Sequence, residues 1–366
     1  MLKFLNLNPE IFGIDINDLS LRIVKLKKKR NGFSLVSYNE ADIKPGVVKE
    51  GVIQDQAALA GVIKTACKGV KGKKLDTKYA AVSLPEEKSF SQVIEMPQMT
   101  DAELITAVPY EAENYIPLTI DKVYMGFQTI GSDQDAKKQS HLDLLINVMP
   151  KTIVDAYVSC LEMAGIVPCI LEVESQAVVR ALADHKADAT PSIFVDFGRT
   201  KTGFIIFSDH SIRFTSSIPI GSDQLTQAIA AQLHITADKA EKLKIKYGLT
   251  ADGEKEHKIK TATSPILQEL VSQIKKYISF HYGHLSQEHL TSDGKIGKIV
   301  LCGGGSNLKG FEDFLCSELK IPVQMANPFN NISQLKRGRE IPYQKLLSFT
   351  TAVGLAKRGA SDKHYL

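Results

Sequence analysis

A duplicated segment constrains this fold more than any other feature of the sequence. Near residue 11 the chain reads Ile-Phe-Gly-Ile-Asp-Ile-Asn-Asp-Leu-Ser-Leu-Arg-Ile-Val-Lys-Leu, and near residue 192 it reads Ser-Ile-Phe-Val-Asp-Phe-Gly-Arg-Thr-Lys-Thr-Gly-Phe-Ile-Ile-Phe. Each copy is an apolar strand that reaches an aspartate (Asp15, Asp196), a short turn of small and polar residues, and a second apolar strand. The second copy begins about 180 residues after the first, which is an internal duplication. A chain of 366 residues exceeds the size at which a single core stops growing, so two related halves are expected.

Composition narrows the class. Hydrophobic residues make up 43% and charged residues 23%, as in soluble globular proteins. No run approaches the roughly 18–20 uninterrupted apolar residues of a membrane-spanning helix. Residues 1–11 lack the pattern of a secretory leader, and the expected compartment is the cytoplasm. Cys67, Cys160, Cys169, Cys302 and Cys316 show neither metal-binding nor redox spacing and read as buried, reduced thiols. A net charge of +4 without a basic stripe interleaved with aromatics argues against nucleic acid. The dense basic run Lys25–Arg30 precedes Asn31-Gly32, a hairpin-turn signal, so these cations are expected at a solvated hairpin tip; attraction to anionic inner-leaflet lipid is the alternative. His281 and His284 are expected to be solvated rather than metal ligands.

Local signals place further elements. Residues 54–68 have helical spacing, and residues 79–84 read as a strand stopped by Pro85. Thr100 and Glu103 form a capping-box pattern that opens a helix expected to reach about residue 116. Strands are expected over 123–130 and 142–149 around an exposed loop at 131–140, and a helix over 152–164 ending at Gly165. Helices are expected from Gly221, over 236–247, and from Ser264-Pro265, where Ile266, Leu270, Ile274 and Ile278 form a stripe.

The clearest site-like stretch is Ile299-Val-Leu-Cys-Gly-Gly-Gly-Ser-Asn-Leu. A buried strand ends in Gly303, Gly304 and Gly305 followed by Ser306, where bare backbone can approach a flat or anionic ligand. The run has neither the Gly-Lys-Ser/Thr of a P-loop nor dinucleotide-fingerprint spacing. Two strand-ending carboxylates in related halves, Asp15 and Asp196, can share a hydrated magnesium while the turns embrace phosphates.

This trio resembles the superfamily of sugar kinases, heat-shock chaperones and actin, whose nucleotide sits between two related halves. The resemblance matches residues 15–22 to the first phosphate motif, residues 196–202 to the second and residues 303–305 to the adenosine motif, with residues 172–181 and 351–356 as the two connecting helices. Within the superfamily, Val93-Ile-Glu-Met-Pro97, the segment Ala107-Val-Pro-Tyr-Glu-Ala-Glu-Asn-Tyr-Ile-Pro117, Gly221-Ser-Asp-Gln-Leu-Thr226 and residues 303–311 resemble the PilM family of pilus assembly proteins over nearly the whole chain.

The resemblance implies an α/β fold of the duplicated, actin-like (ribonuclease H-like) kind. Its first half would occupy 11–80, completed by 151–190 and 336–366; an inserted small α+β subdomain would occupy 81–150; the second half would occupy 191–335, with a helical part at about 226–294. It implies ATP and Mg2+ as cofactors, with Asp15 and Asp196 toward the metal. Asn17, Asp18, Ser20, Arg22, Gly198, Thr200, Thr202, Glu241, Lys244, Gly303, Gly304, Gly305 and Ser306 would face the nucleotide, and Glu174 would orient water. The first loop departs from the family pattern, because Asn17 and Asp18 replace Gly and Ser and Arg22 stands for Lys. Family members bind the cytoplasmic N-terminal tail of the inner-membrane protein PilN, so a PilN-like tail, a link to pilus motor ATPases and a peripheral place at the inner membrane are implied, along with a homo-oligomer or ring. An active ATPase, or a filament former related to the cell-division protein FtsA, is the alternative.

Overall fold

The computed structural model describes residues 9–130, 141–183, 191–208, 210–250, 253–283, 295–335 and 340–361. The chain divides into two compact units, 1–183 with 328–366, and 184–327. Each is organised around a sheet whose central strand is one copy of the duplicated segment.

In the first unit the central strand is Phe12–Ile16. It pairs antiparallel with Ser20–Lys29, which pairs antiparallel with Gly32–Asp42. On its other side it pairs in parallel with Tyr79–Leu84, which pairs in parallel with Val167–Val173. The second unit repeats this arrangement. Ser192–Phe197 is central, Thr202–Ser208 and Ser211–Ile218 follow antiparallel on one side, and Lys298–Cys302 and Val323–Met325 follow in parallel on the other. Numbered in chain order, these five strands run 3-2-1-4-5 in each sheet, and in the first sheet Ile332–Ser333 and Lys71–Gly72 also pair with Gly32–Asp42. The antiparallel strands are joined by short turns and the parallel ones by helical crossovers, as parallel pairing requires.

Burial explains why these segments become strands. Phe12, Ile14, Leu21, Ile23, Ala80 and Val82 join Leu59 and Ile63 of the Gln56–Lys68 helix in one core. Ile193, Val195, Phe204, Ile206, Ile299 and Leu301 join Leu267, Leu270, Val271 and Ile274 in the other. Central strands covered on both faces read as nearly continuous apolar runs, which is why the sequence shows them so clearly.

The first unit also carries a three-stranded antiparallel sheet, Phe90–Pro97, His141–Pro150 and Val123–Ile130, under the helix Asp101–Ala112. The capping box forms as expected: Thr100 Oγ1 accepts from the Glu103 amide while Glu103 accepts from the Thr100 amide at 2.7 Å. This helix ends at Ala112 rather than near residue 116, with only single-turn bonds such as Ile116 N to Ala112 O beyond it. The expected loop at 131–140 lies outside the described residues.

Four local expectations are corrected, the first being that of buried cysteines: Cys160 and Cys302 are buried, Cys67 and Cys169 partly so, and Cys316 is exposed. Ser264-Pro265 does not open a helix, because a single helix runs Glu254–Gly283 through Pro265. Ile259 packs against Ile229 and Ala240 ahead of the proline, and Leu267, Leu270 and Ile274 are buried after it. Burial on both sides thus outweighs the missing amide. Lys25 is not at a solvated tip either: it is 2% exposed, with its ammonium against Glu10 and Asp76, and only residues 27–30 are exposed. Lys25 precedes the hairpin tip by enough residues to remain in the sheet interior, where a cation requires carboxylate partners. His281 is also buried, its ring 5.8 Å from Tyr282, while His284 lies outside the described residues.

Candidate functional site

In the first unit, Asp15 is the penultimate residue of the central strand and is 2% exposed. Its Oδ1 accepts from Ser83 Oγ at 3.0 Å and its Oδ2 from Asn17 Nδ2 at 2.9 Å, and Arg22 lies 3.8 Å away. Ser83 also accepts from the Ile16 amide, so the neighbouring parallel strand holds both the backbone and the carboxylate of the aspartate strand. The turn between the first two strands closes through Asn17 N to Ser20 O, and Ser20 is buried at the start of the second.

Asp18 and Arg22, the two departures in this loop, are both engaged by the protein. Asp18 accepts from the amides of Glu50 and Gly51 at 2.9 and 3.0 Å. Those residues form the turn of the small hairpin Val48–Lys49/Val52–Ile53 and both have positive φ. The two successive amides of this turn converge on one anion, here the Asp18 carboxylate. Arg22 donates through Nε to Glu40 Oε1 at 3.1 Å. Burial raises the Glu40 carboxyl, but the contacts from Lys345 and Arg22 outweigh it and hold the group below its ordinary value.

Glu174 opens the helix Glu174–Leu182 and is 8% exposed. It accepts from the Glu86 amide at 3.3 Å, while Glu86 accepts from the Ser175 amide at 3.1 Å. This reciprocal pair joins the end of the Tyr79–Leu84 strand to the start of the connecting helix. Ser83 and Glu86 escaped the sequence reading. Their signal was available, as a serine in an otherwise apolar strand and an acid just after the proline that stops it.

In the second unit, Asp196 lies near the end of the central strand, and Gly198 N donates to Lys201 O across the following turn. Thr202 is fully buried, donating to Ile220 O at 2.5 Å, and Thr200 is half-buried in the turn. The first amides of the helix Ser222–Leu233 are bonded to this turn, Ser222 N to Gly198 O and Asp223 N to Arg199 O. The glycine run begins where the Lys298–Cys302 strand ends. Gly303 has φ +80°, and a Cβ there would lie 2.3 Å from Asp196 Oδ1 and 2.6 Å from Phe197 O. A Cβ on Gly305 would lie 2.8 Å from Phe197 O. Gly304 is exposed, and Ser306 is buried, its hydroxyl donating to Cys302 O. Cys302 is fully buried, and burial together with the Asp196 charge pushes its thiol well up. The second phosphate-like turn and the glycine run, more than a hundred residues apart in the sequence, are therefore one packed piece.

Lys244 is 6% exposed and donates to Ser222 O and Thr226 Oγ1 at 2.8 and 2.7 Å, with Glu241 2.7 Å away. Three acceptors match the three ammonium protons. Burial raises the Glu241 carboxyl, but Lys244 and Thr226 overcome it and bring it below its ordinary value. These two residues link the Ala237–Tyr247 helix to the Ser222–Leu233 helix.

The carboxylates of Asp15 and Asp196 are hard oxygen donors at equivalent strand ends, which suits Mg2+. The side-chain-free run at 303–305 suits an approaching ring or phosphate. Within the second unit a carboxylate and a side-chain-free run thus lie together, a set whose chemistry suits a magnesium nucleotide.

Comparison with known proteins bears on this arrangement. The family model described as type IV pilus assembly protein PilM matches residues 13–360. The cell division protein FtsA of Enterococcus hirae is 25% identical over 360 residues, covering 87% of this chain and 80% of that protein. Among solved structures, the PilM-PilN type IV pilus biogenesis complex aligns with a TM-score of 0.81 at 23% identity, covering 96% of this chain and 99% of that one. MreB5 of Spiroplasma citri bound to ADP aligns at 0.51 with 13% identity, covering 98% of this chain and all of that one. The shared fold is that of the actin-like proteins, as the duplicated sheet order requires.

Proposed function

Since this chain belongs to the type IV pilus assembly protein PilM family, we propose that it is a nucleotide-binding scaffold of pilus assembly whose partner is the cytoplasmic N-terminal tail of a PilN-like inner-membrane protein. One observation carries the nucleotide reading: the bare backbone of Gly303 and Gly305 is packed onto Asp196 and Phe197, so a carboxylate and a glycine cradle lie side by side. Asp196 would help to hold hydrated Mg2+, residues 198–202 would face the phosphates and residues 303–306 the adenosine, and Asp15 is the corresponding carboxylate of the first unit. When bound, the magnesium nucleotide supplies charge neutralisation and a scissile phosphoanhydride. Hydrolysis is expected to be slow. Arg22 is neutralised by Glu40 rather than left to stabilise transferring phosphate, and Glu174, the water-orienting candidate, is bonded to the Glu86 amide.

Among the described residues no helix is long and apolar enough to cross a membrane. In this reading the protein reaches the inner membrane through its partner. Calorimetric titration with MgATP, then with a peptide of the partner's N-terminal tail, tests the proposal. Binding of both with little phosphate release supports a scaffold. Peptide binding without MgATP binding would reduce the protein to an adaptor, and rapid turnover or nucleotide-dependent sedimentation would favour an ATPase or a filament former.

A further inference from the structure

Away from these loops, the three-stranded sheet of the first unit brings three potential metal ligands together. Asp143 stands directly opposite Glu95 across the antiparallel ladder, and His141 lies two residues along the same strand. Leu142, Leu144, Ile146, Ile94 and Met96 alternate onto the face covered by the Asp101–Ala112 helix, so Glu95, His141 and Asp143 share the other face. One ligand atom from each residue lies within 4.8 Å of the other two, and His141 Nε2 is 3.6 Å from Asp143 Oδ1. Around a tetrahedral ion with bonds of about 2.0–2.2 Å two ligands stand about 3.3–3.6 Å apart, which the His141–Asp143 pair already matches, and rotation of the exposed Glu95 side chain by about 1 Å would close the rest of the site.

We propose that Glu95, His141 and Asp143 form a binding site for a first-row divalent cation such as Zn2+, which clips the Phe90–Pro97 strand to the His141–Pro150 strand. Directly opposed carboxylates repel across a ladder, and a divalent ion between them turns that repulsion into attraction. The imidazole sets the class of metal, because a mixed nitrogen and oxygen donor set favours Zn2+ or its neighbours over Mg2+. Cross-linking two strands at one end would fix their register, on which the placement of every core side chain of this sheet depends.

The test is calorimetric titration of untagged, chelator-stripped full-length protein with Zn2+ in the presence of excess Mg2+, alongside thermal melts. A single bound ion and a melting temperature raised by several degrees are expected. Glu95 is exposed, so Glu95→Gln should fold normally and weaken Zn2+ at least about tenfold, and His141→Gln should abolish the effect. Absence of Zn2+ binding by the parent protein, or equal affinity in the parent and Glu95→Gln proteins, would overturn the proposal.

Discussion

Gly303 shows how much one missing Cβ can decide. Its φ of +80° and its contact with Asp196 and Phe197 leave no room for a side chain. Gly303→Ala should therefore destabilise the protein by about 1–3 kcal/mol in urea unfolding. It should also weaken MgATP in the calorimetric titration, because either Asp196 or the glycine run must move. Lys357 makes a separate prediction. Burial pushes its ammonium down to about 8, while its Nζ donates to Ala181 O at 2.9 Å. The folded state then binds fewer protons than the unfolded state between pH 8 and 10.5, so stability rises with pH across that window and is flat in this respect below it. The rise should be on the order of 1–2 kcal/mol and absent in Lys357→Met, as read by denaturant unfolding across that pH range.

At the scale of elements, the Thr100/Glu103 box caps an exposed helix end, and Thr100→Ala should cost about 0.5–2 kcal/mol in the same assay. That box was legible in the sequence because its partners lie three residues apart. The Asp hairpins, the Tyr79–Leu84 strand and the glycine run were legible for a related reason, being set by short-range alternation and by backbone freedom. What was not legible depends on distant partners. Nothing near Asp18 announces that its carboxylate caps a turn at residues 50 and 51. Nothing near Lys25 announces Asp76, and nothing at Pro265 reveals that burial on both sides will carry a helix through it. Of the candidate site, the loops and strand-end carboxylates could be read from sequence, whereas the commitments of Arg22, Asp18 and Lys244 to protein partners required the fold.

For the whole molecule, each unit has its own sheet and core, so damage to one core should stay local. Ile274 is fully buried in the second unit, and Ile274→Ala should cost about 2–5 kcal/mol there. Hydrogen exchange should show amides of residues 192–208 losing protection while those of residues 12–42 keep theirs; equal loss in both would mean the two units unfold as one. Binding of the partner peptide should survive Gly303→Ala if the tail docks on the first unit alone, which a titration with that variant would decide.

The close approach of Gly13 to the Thr350–Ser361 helix has a consequence for synthesis. A Cβ at Gly13 would lie 2.5 Å from Ala352 O, and one at Gly359 would lie 2.7 Å from Ile11, so the Phe12–Ile16 strand and this helix are made for each other across almost the entire length of the chain. On the ribosome the strand emerges more than three hundred residues ahead of its covering helix. The second unit is a continuous stretch and can fold while translation proceeds. The first must hold this strand without one of its covers until that helix has left the exit tunnel, so its fold is completed only after the helix is made.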